Sequence, residues 1–269
     1  YRARTRFAKF FNLPELMSIF KEVADIKVSE DLSLPVPKLK DGKYKIVTST
    51  PSEVTKELMQ DFAKRAENIR NGMVNPTEDN MLKITDEARL LGTDPRLLNQ
   101  DYSEYEKEII ETDIESKLNQ VIEHTLKEYK DSNAIKGTQI TFSDIGTPSS
   151  EKNKFTVYDY IKNNLTERGI PEDEICFIHD AKTEIQRDKM FEEVRQGSKR
   201  IIIGSTQKMG TGTNIQDKLV ALHHVDCPFR PSDIEQREGR ILRQGNKNEE
   251  VNIYRYVTKD TFEACLWQM

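Results

Sequence analysis

From about residue 130 onward, short apolar segments alternate with helical stretches of about ten to fifteen residues, and few folds accommodate that rhythm. Apolar runs at 138–142, 175–179, 200–203, 219–225 and 251–257 predict strands, with helices over 156–168, 183–197 and 231–243. Each helix is long enough to carry the chain back across a sheet in a right-handed crossover, so the strands are expected to lie parallel. The run RIIIG at 200–204 is apolar at successive positions, as a central strand covered on both faces requires. The expected fold class is α/β, a parallel sheet with helices on both faces.

The first hundred residues read differently. Residues 1–30 predict an amphipathic helix, and 31–43 break it with two prolines and an Asp-Gly turn, as a linker or hinge would. A short strand is predicted over 44–49, a helix opened by Ser52 and running to about Arg70, and a loop over 71–80. The charged segment 101–130 predicts solvated helix with opposite charges four residues apart, Glu123 with Lys127 for example. The expected division is a mainly helical lead-in and hinge over 1–100, followed by the α/β domain over 101–269.

Composition narrows the function classes. No apolar run approaches the ~20 residues needed to span a bilayer, and the N-terminal segment lacks a secretory pattern, so a cytoplasmic protein with no membrane partner is expected. Cys176, Cys227 and Cys265 stand far apart, which signals neither a disulfide framework nor a metal site. A net charge of −5 argues against coating nucleic acid by bulk charge, although a local basic stripe can still track phosphates.

In an open α/β sheet the working groups collect in loops beyond the carboxyl ends of the strands. Two such loops stand out. GSTQKMGTGTNIQ at 204–216 combines close-approach glycines, Gly210 and Gly212, with Ser205, Thr206 and Lys208, a composition suited to backbone phosphate. The second, CPFRPSDIEQREGRILRQGN at 227–246, contains a predicted helix that can be laid out at 100° per residue. On that wheel Ile234 and Ile241 share a docking face, while Gln236, Arg240 and Arg243 cluster elsewhere. Ser232 or Asp233 is the expected cap and Gly245 the stop. Two arginines one turn apart form a fork suited to a developing phosphoryl charge. The chain contains no GxxxxGK(S/T) segment and no DExx tetrad after an apolar strand, so the phosphate-holding half of any such site is expected on another lobe.

STQKMGTGTN followed by QREGRILRQGN resembles motifs V and VI of superfamily-two helicases, in the style of the Swi/Snf-like branch. The resemblance implies a RecA-like C-terminal lobe and an ATP-dependent DNA helicase or translocase, with ATP and Mg²⁺ bound mainly by the first lobe of the same parent protein. It assigns Arg240 and Arg243 to the γ-phosphate with Gln236 in support, and Gly212 and Asn214 to the nucleotide side. It turns Ser205, Thr206, Lys208 and Gly210 towards the backbone of DNA, expected to be double-stranded. QITFSD at 139–144 is similar to motif IV, whose end, Ser143 and Asp144, faces nucleic acid in relatives. At 177–197 a turn precedes a helix bearing Arg187, but Ala181 stands where relatives place glycine. The style of the motifs is also similar to phage and mobile-element proteins that join a helicase to an adenine methylase, although the chain has no methylase motif.

The rival reading is a scaffold that binds DNA or protein without catalysis. A Rossmann enzyme is disfavoured by the lack of GxGxxG followed by an acidic ribose ligand. His223, His224, Tyr254, Tyr256 and Trp267 read as packing groups, and Phe229, beside Arg230, as an aromatic worth following.

Overall fold

In the computed structural model, residues 11–25, 35–98, 101–151, 154–209 and 214–268 are described. Gly210 and Gly212, the rest of the glycine-rich turn and the first four residues of the anticipated hinge lie outside them. The chain divides into two units, residues 1–35 and residues 36–269. In the first, α1 (Leu13–Val23) is an amphipathic helix with Pro14 in its first turn, where a missing N–H costs nothing.

The second unit is built on a parallel sheet of seven described strands, six in the order β1-β7-β6-β3-β5-β4 and the seventh, β2, beside β7. The strands are β1 (Lys38–Leu39), β2 (Lys45–Ser49), β3 (Thr138–Phe142), β4 (Ile175–Phe177), β5 (Ile201–Gly204), β6 (Leu219–His224) and β7 (Glu250–Thr258). β1 and β2 both pair with β7, meeting its first and last residues in turn. All five strands expected after residue 130 are present, with β4 giving way to a 3-10 turn at Ile178–Asp180. The fold is the expected RecA-like α/β arrangement.

Alternation along the buried strands supplies two cores. Ile201 and Ile203 point to one face of the sheet with Ala221, Tyr254 and Tyr256, under helices α5 (Lys117–Asp131) and α6 (Val157–Glu167). Ile202 points to the other face with Ile140, Phe142, Leu222 and Ile253, against α7 (Glu184–Gln196) and the side chains of Met209 and Ile241. Each of these isoleucines is fully buried, and each contributes roughly 1.5–3 kcal/mol of burial free energy.

Two expectations are corrected. The boundary placed near residue 100 does not match the sheet, because β1 and β2 lie in its edge and the division falls between Pro35 and Val36. Helix α5 is not a solvated rod: Leu118, Val121, Ile122 and Leu126 are buried in the core, and Glu123 pairs with Arg168 instead of Lys127. Between β2 and α5 lie α2 (Glu53–Arg70), α3 (Met81–Thr93) and α4 (Glu104–Thr112). Ser52 caps α2 as expected by accepting from the Thr55 N–H. Phe62, Ile84 and Leu91 form a small separate core between α2 and α3.

Candidate nucleotide and nucleic-acid interface

Because all the strands are parallel, the loops that follow β3, β4, β5 and β6 emerge on one edge of the sheet. Backbone bonds carry the ladder into these loops: Ser143 N–H donates to Gly204 over 3.1 Å, and Val225 N–H to Phe142 over 3.0 Å. A groove of about 560 Å³ opens there, lined by Asp144, His179, Thr206, Lys208, Arg230 and Gln236 among others. It brings together most of the residues expected to meet DNA. Burial, with Lys208 adding to it, lowers the pKa of His179, so the imidazole favours its neutral form.

The expected DNA-facing set is divided by burial. Lys208 is exposed, on the one-turn helix α8 (Thr206–Met209) that follows β5. Ser143 is fully buried and its hydroxyl donates to the Ile145 carbonyl at 2.7 Å, so that hydroxyl does not face the surface as anticipated. Ser205 is buried and accepts from the Lys208 N–H at 3.4 Å. The Asp144 carboxylate already holds both donors of Thr206, the backbone N–H at 2.6 Å and the hydroxyl at 2.8 Å. A phosphate reaching for Thr206 therefore meets a negative group in the same position.

Helix α9 (Pro231–Glu238) ends five residues short of the predicted helix. Arg230 is its N-cap and Pro231 occupies the first turn, so neither Ser232 nor Asp233 provides the cap. Beyond Gly239 the backbone closes in tight turns, with Arg240 N–H donating to the Arg237 carbonyl at 3.1 Å and Arg243 N–H to the Ile241 carbonyl at 2.9 Å. Gly245 takes a left-handed φ of 92°, which suits glycine. Arg240 and Arg243 thus sit on a compact turn, not along a helix face. Ile241 is buried as expected, while Ile234 is only half-buried. Burial first, and then the neighbouring Arg243, lower the pKa of Arg240 from its ordinary value. A half-buried cation beside an exposed one is favoured by an approaching anion. Asn214 is exposed, and its carbonyl accepts from Arg195 Nη1 at 2.6 Å.

The residue that sequence reasoning missed is Arg237. Its side chain is sealed from solvent, yet it makes a full set of bonds. Nε donates to Thr206 Oγ1 at 2.7 Å, Nη1 to the Asp226 carbonyl at 2.9 Å, and Nη2 to Asp144 Oδ2 at 2.9 Å and Asp226 Oδ1 at 3.0 Å. Burial opposes its charge, but Asp226 and Asp144 outweigh that and raise its pKa. Asp226 also accepts the Asp144 N–H at 3.2 Å and lies 3.7 Å from Arg89 of α3, so two arginines balance two carboxylates. The signal was present in the spacing: Arg237 is three residues after Ile234 and four before Ile241, on the docking face.

The next residue, Glu238, secures the other side of α9. It accepts from Arg255 Nη2 at 2.6 Å and Tyr44 Oη at 3.1 Å, and lies 3.3 Å from Nε2 of the buried His224. Burial would raise its pKa, but His224 and Arg255 together lower it. His223 is satisfied at both ring nitrogens, 2.9 Å from Tyr256 Oη and 2.9 Å from Gln139 Oε1, which is the packing role expected of it. Phe229 is exposed and carries the guanidinium of Arg89 4.1 Å above its ring centre.

Comparison with known proteins bears on this geometry. The crystal structure of the C-terminal part of the Fun30 ATPase domain superposes with a TM-score of 0.64 at 17% identity, covering 87% of this chain and 89% of that one. At that identity the likeness concerns the fold. A stretch of 76 residues is 30% identical to the Defense against restriction protein B of Escherichia phage P1, spanning 28% of this chain and 3% of that protein. Residues 116–245, from the start of α5 to the turn that follows α9, match the model of the helicase conserved C-terminal domain. That span contains Asp144, Thr206, Lys208, Gln236, Arg237, Arg240 and Arg243, and over it the chain is similar to the helicase conserved C-terminal domain, on a RecA-like fold.

Proposed function

We propose that this chain is the second motor lobe of an ATP-driven DNA helicase or translocase of the Swi/Snf-like branch. The observation that carries the reading is the placement of Arg240 and Arg243 on one compact turn after α9, next to the groove helix, with burial and the neighbouring Arg243 both lowering the Arg240 pKa. Such a pair is stabilised by a polyphosphate entering from a facing lobe.

The residues present fit a shared nucleotide site. The two guanidinium forks suit phosphate oxygens, and no GxxxxGK(S/T) segment exists in the chain to hold them from this side. ATP with Mg²⁺, held mainly by the partner lobe, supplies the phosphoryl bond whose hydrolysis drives the cycle. Arg240 and Arg243 stabilise the negative charge that develops on that bond, while Gln236 and Asn214, with Gly212, complete the nucleotide side. The groove carrying Lys208, Thr206 and Arg230, with Ser205 and Asp144 in its lining, meets the backbone of double-stranded DNA; Gly210, outside the described residues, is assigned to the same backbone. The likeness to a phage protein named for defence against restriction suits work on phage or mobile-element DNA.

The test is DNA-stimulated ATP hydrolysis by the full-length parent protein, wild type against Arg240→Ala and Arg243→Ala. The expected result is a loss on the order of 10³-fold or more in each variant. Unchanged hydrolysis in both would overturn the motor reading and leave a nucleic-acid-binding scaffold.

A further inference from the structure

Arg237 joins the DNA-side loops to the turn that carries Arg240. Its guanidinium binds Thr206 and Asp144, which line the groove, and its backbone carbonyl accepts the Arg240 N–H at 3.1 Å. One residue therefore holds the groove by its side chain and the arginine turn by its main chain. We propose that Arg237 is a positioning residue that couples DNA occupancy of the groove to the placement of Arg240 and Arg243; this rests on the motor reading above.

The physical basis is competition for Thr206. Asp144 occupies both Thr206 donors in this structure, so a DNA phosphate drawn to them repels the carboxylate. Displacing Asp144 removes one of the two carboxylates that hold Arg237. The other, Asp226, is fully buried and remains bonded through Oδ1 and its main-chain carbonyl. The guanidinium is desolvated and its donors have fixed directions, so it re-seats against what remains instead of taking up water. Glu238 holds the neighbouring position to Arg255 and Tyr44, which confines the adjustment to the turn beginning at Gly239. Arg240 lies at the end of that lever.

A merely structural Arg237 would affect stability alone, so the test reads a kinetic split. In the full-length protein, Arg237→Lys keeps the charge but loses the fork. Its DNA-free ATP hydrolysis is expected to stay within about twofold of wild type. The DNA concentration giving half-maximal stimulation is also expected to be unchanged, while the DNA-stimulated kcat falls about tenfold, a difference of about 1.4 kcal/mol. Asp226→Asn, which touches neither DNA nor nucleotide, is expected to show the same split if Arg237→Lys folds poorly. Stimulation equal to wild type in both variants overturns the proposal, as does a parallel loss of basal and stimulated rates tracking a lowered Tm. If the wild type shows no DNA stimulation, or Arg243→Ala remains fully active, the motor reading fails first and is identified as the failing step.

Discussion

Nη2 of Arg237 donates to Oδ1 of Asp226 across 3.0 Å, with both side chains sealed from solvent. A buried pair of this kind adds modest net stability, yet breaking it from one side leaves a charge without compensation. Arg237→Met is expected to destabilise the protein by about 3–5 kcal/mol. Adding Asp226→Leu should recover part of that loss, because it removes the stranded carboxylate. Chemical denaturation of the single and double variants checks this, and simple additivity of the two losses would count against it.

The buried histidines set an acid limit. Desolvation lowers the pKa of His223 to about 3 and that of His224 to about 4, against an ordinary value of 6.5. Between those values and 6.5 the unfolded chain binds protons that the folded chain refuses, so the stabilisation is complete above pH 6.5 and is lost as pH falls. Near pH 5 the two residues together contribute a slope of up to about 2.7 kcal/mol per pH unit. His224→Gln is expected to reduce that slope by up to about 1.4 kcal/mol per pH unit, measured as denaturation midpoints from pH 4.5 to 7. An identical slope in the variant would show that His224 is protonated in the fold.

Lys208 is, with Arg230, an exposed cation of the groove and has no structural duty in the core. Lys208→Ala is therefore expected to weaken DNA binding to a similar extent on any sequence, and to reduce the slope of log K against log salt by about 0.9. Titrations of the full-length protein at several salt concentrations decide the point; a preserved slope would remove Lys208 from the phosphate contacts.

A second buried ion pair lies outside the groove. Lys117, at the start of α5, pairs with Glu263 of α10 (Phe262–Leu266), and Glu263 also accepts the Cys227 N–H at 3.1 Å. Burial raises the pKa of Glu263, while Lys117 works against that shift. Lys117→Met is expected to cost about 3–5 kcal/mol, and Lys117→Met with Glu263→Gln appreciably less. Thermal unfolding of the two variants distinguishes this from a neutral surface pair, for which both would melt with wild type.

The strands that flank the groove were legible because their signal is local: an apolar run such as 200–204, bounded by polar turns, needs no knowledge of its neighbours. β1 was not legible. Its two residues follow a proline-rich stretch that reads as linker, and only the pairing of Lys38 and Leu39 with Glu250 and Val251 makes them a strand. The end of α9 was misread for a related reason. The 100° wheel continues smoothly through Gly239, but the buried bonds of Arg237 and Glu238 fix the helix just before it. Arg237 was not legible because its partners, Asp144 and Asp226, come from loops distant in sequence, and nothing local marks a charged side chain on a docking face as buried. Ser143 failed in the opposite way: its motif placed it at the groove, and one bond to Ile145 turned it inward.

The pairing of β2 with β7 joins residues about two hundred positions apart in sequence, Lys45 opposite Tyr254 among them. A growing polypeptide cannot complete this edge of the sheet until its last strand has left the ribosome, and closing so long a loop carries a large entropic cost before any contact repays it. The interval leaves Val47, which packs against the core once this edge has formed, open to other unfinished chains. In translation order, the first two strands of this domain are among the last to find their places.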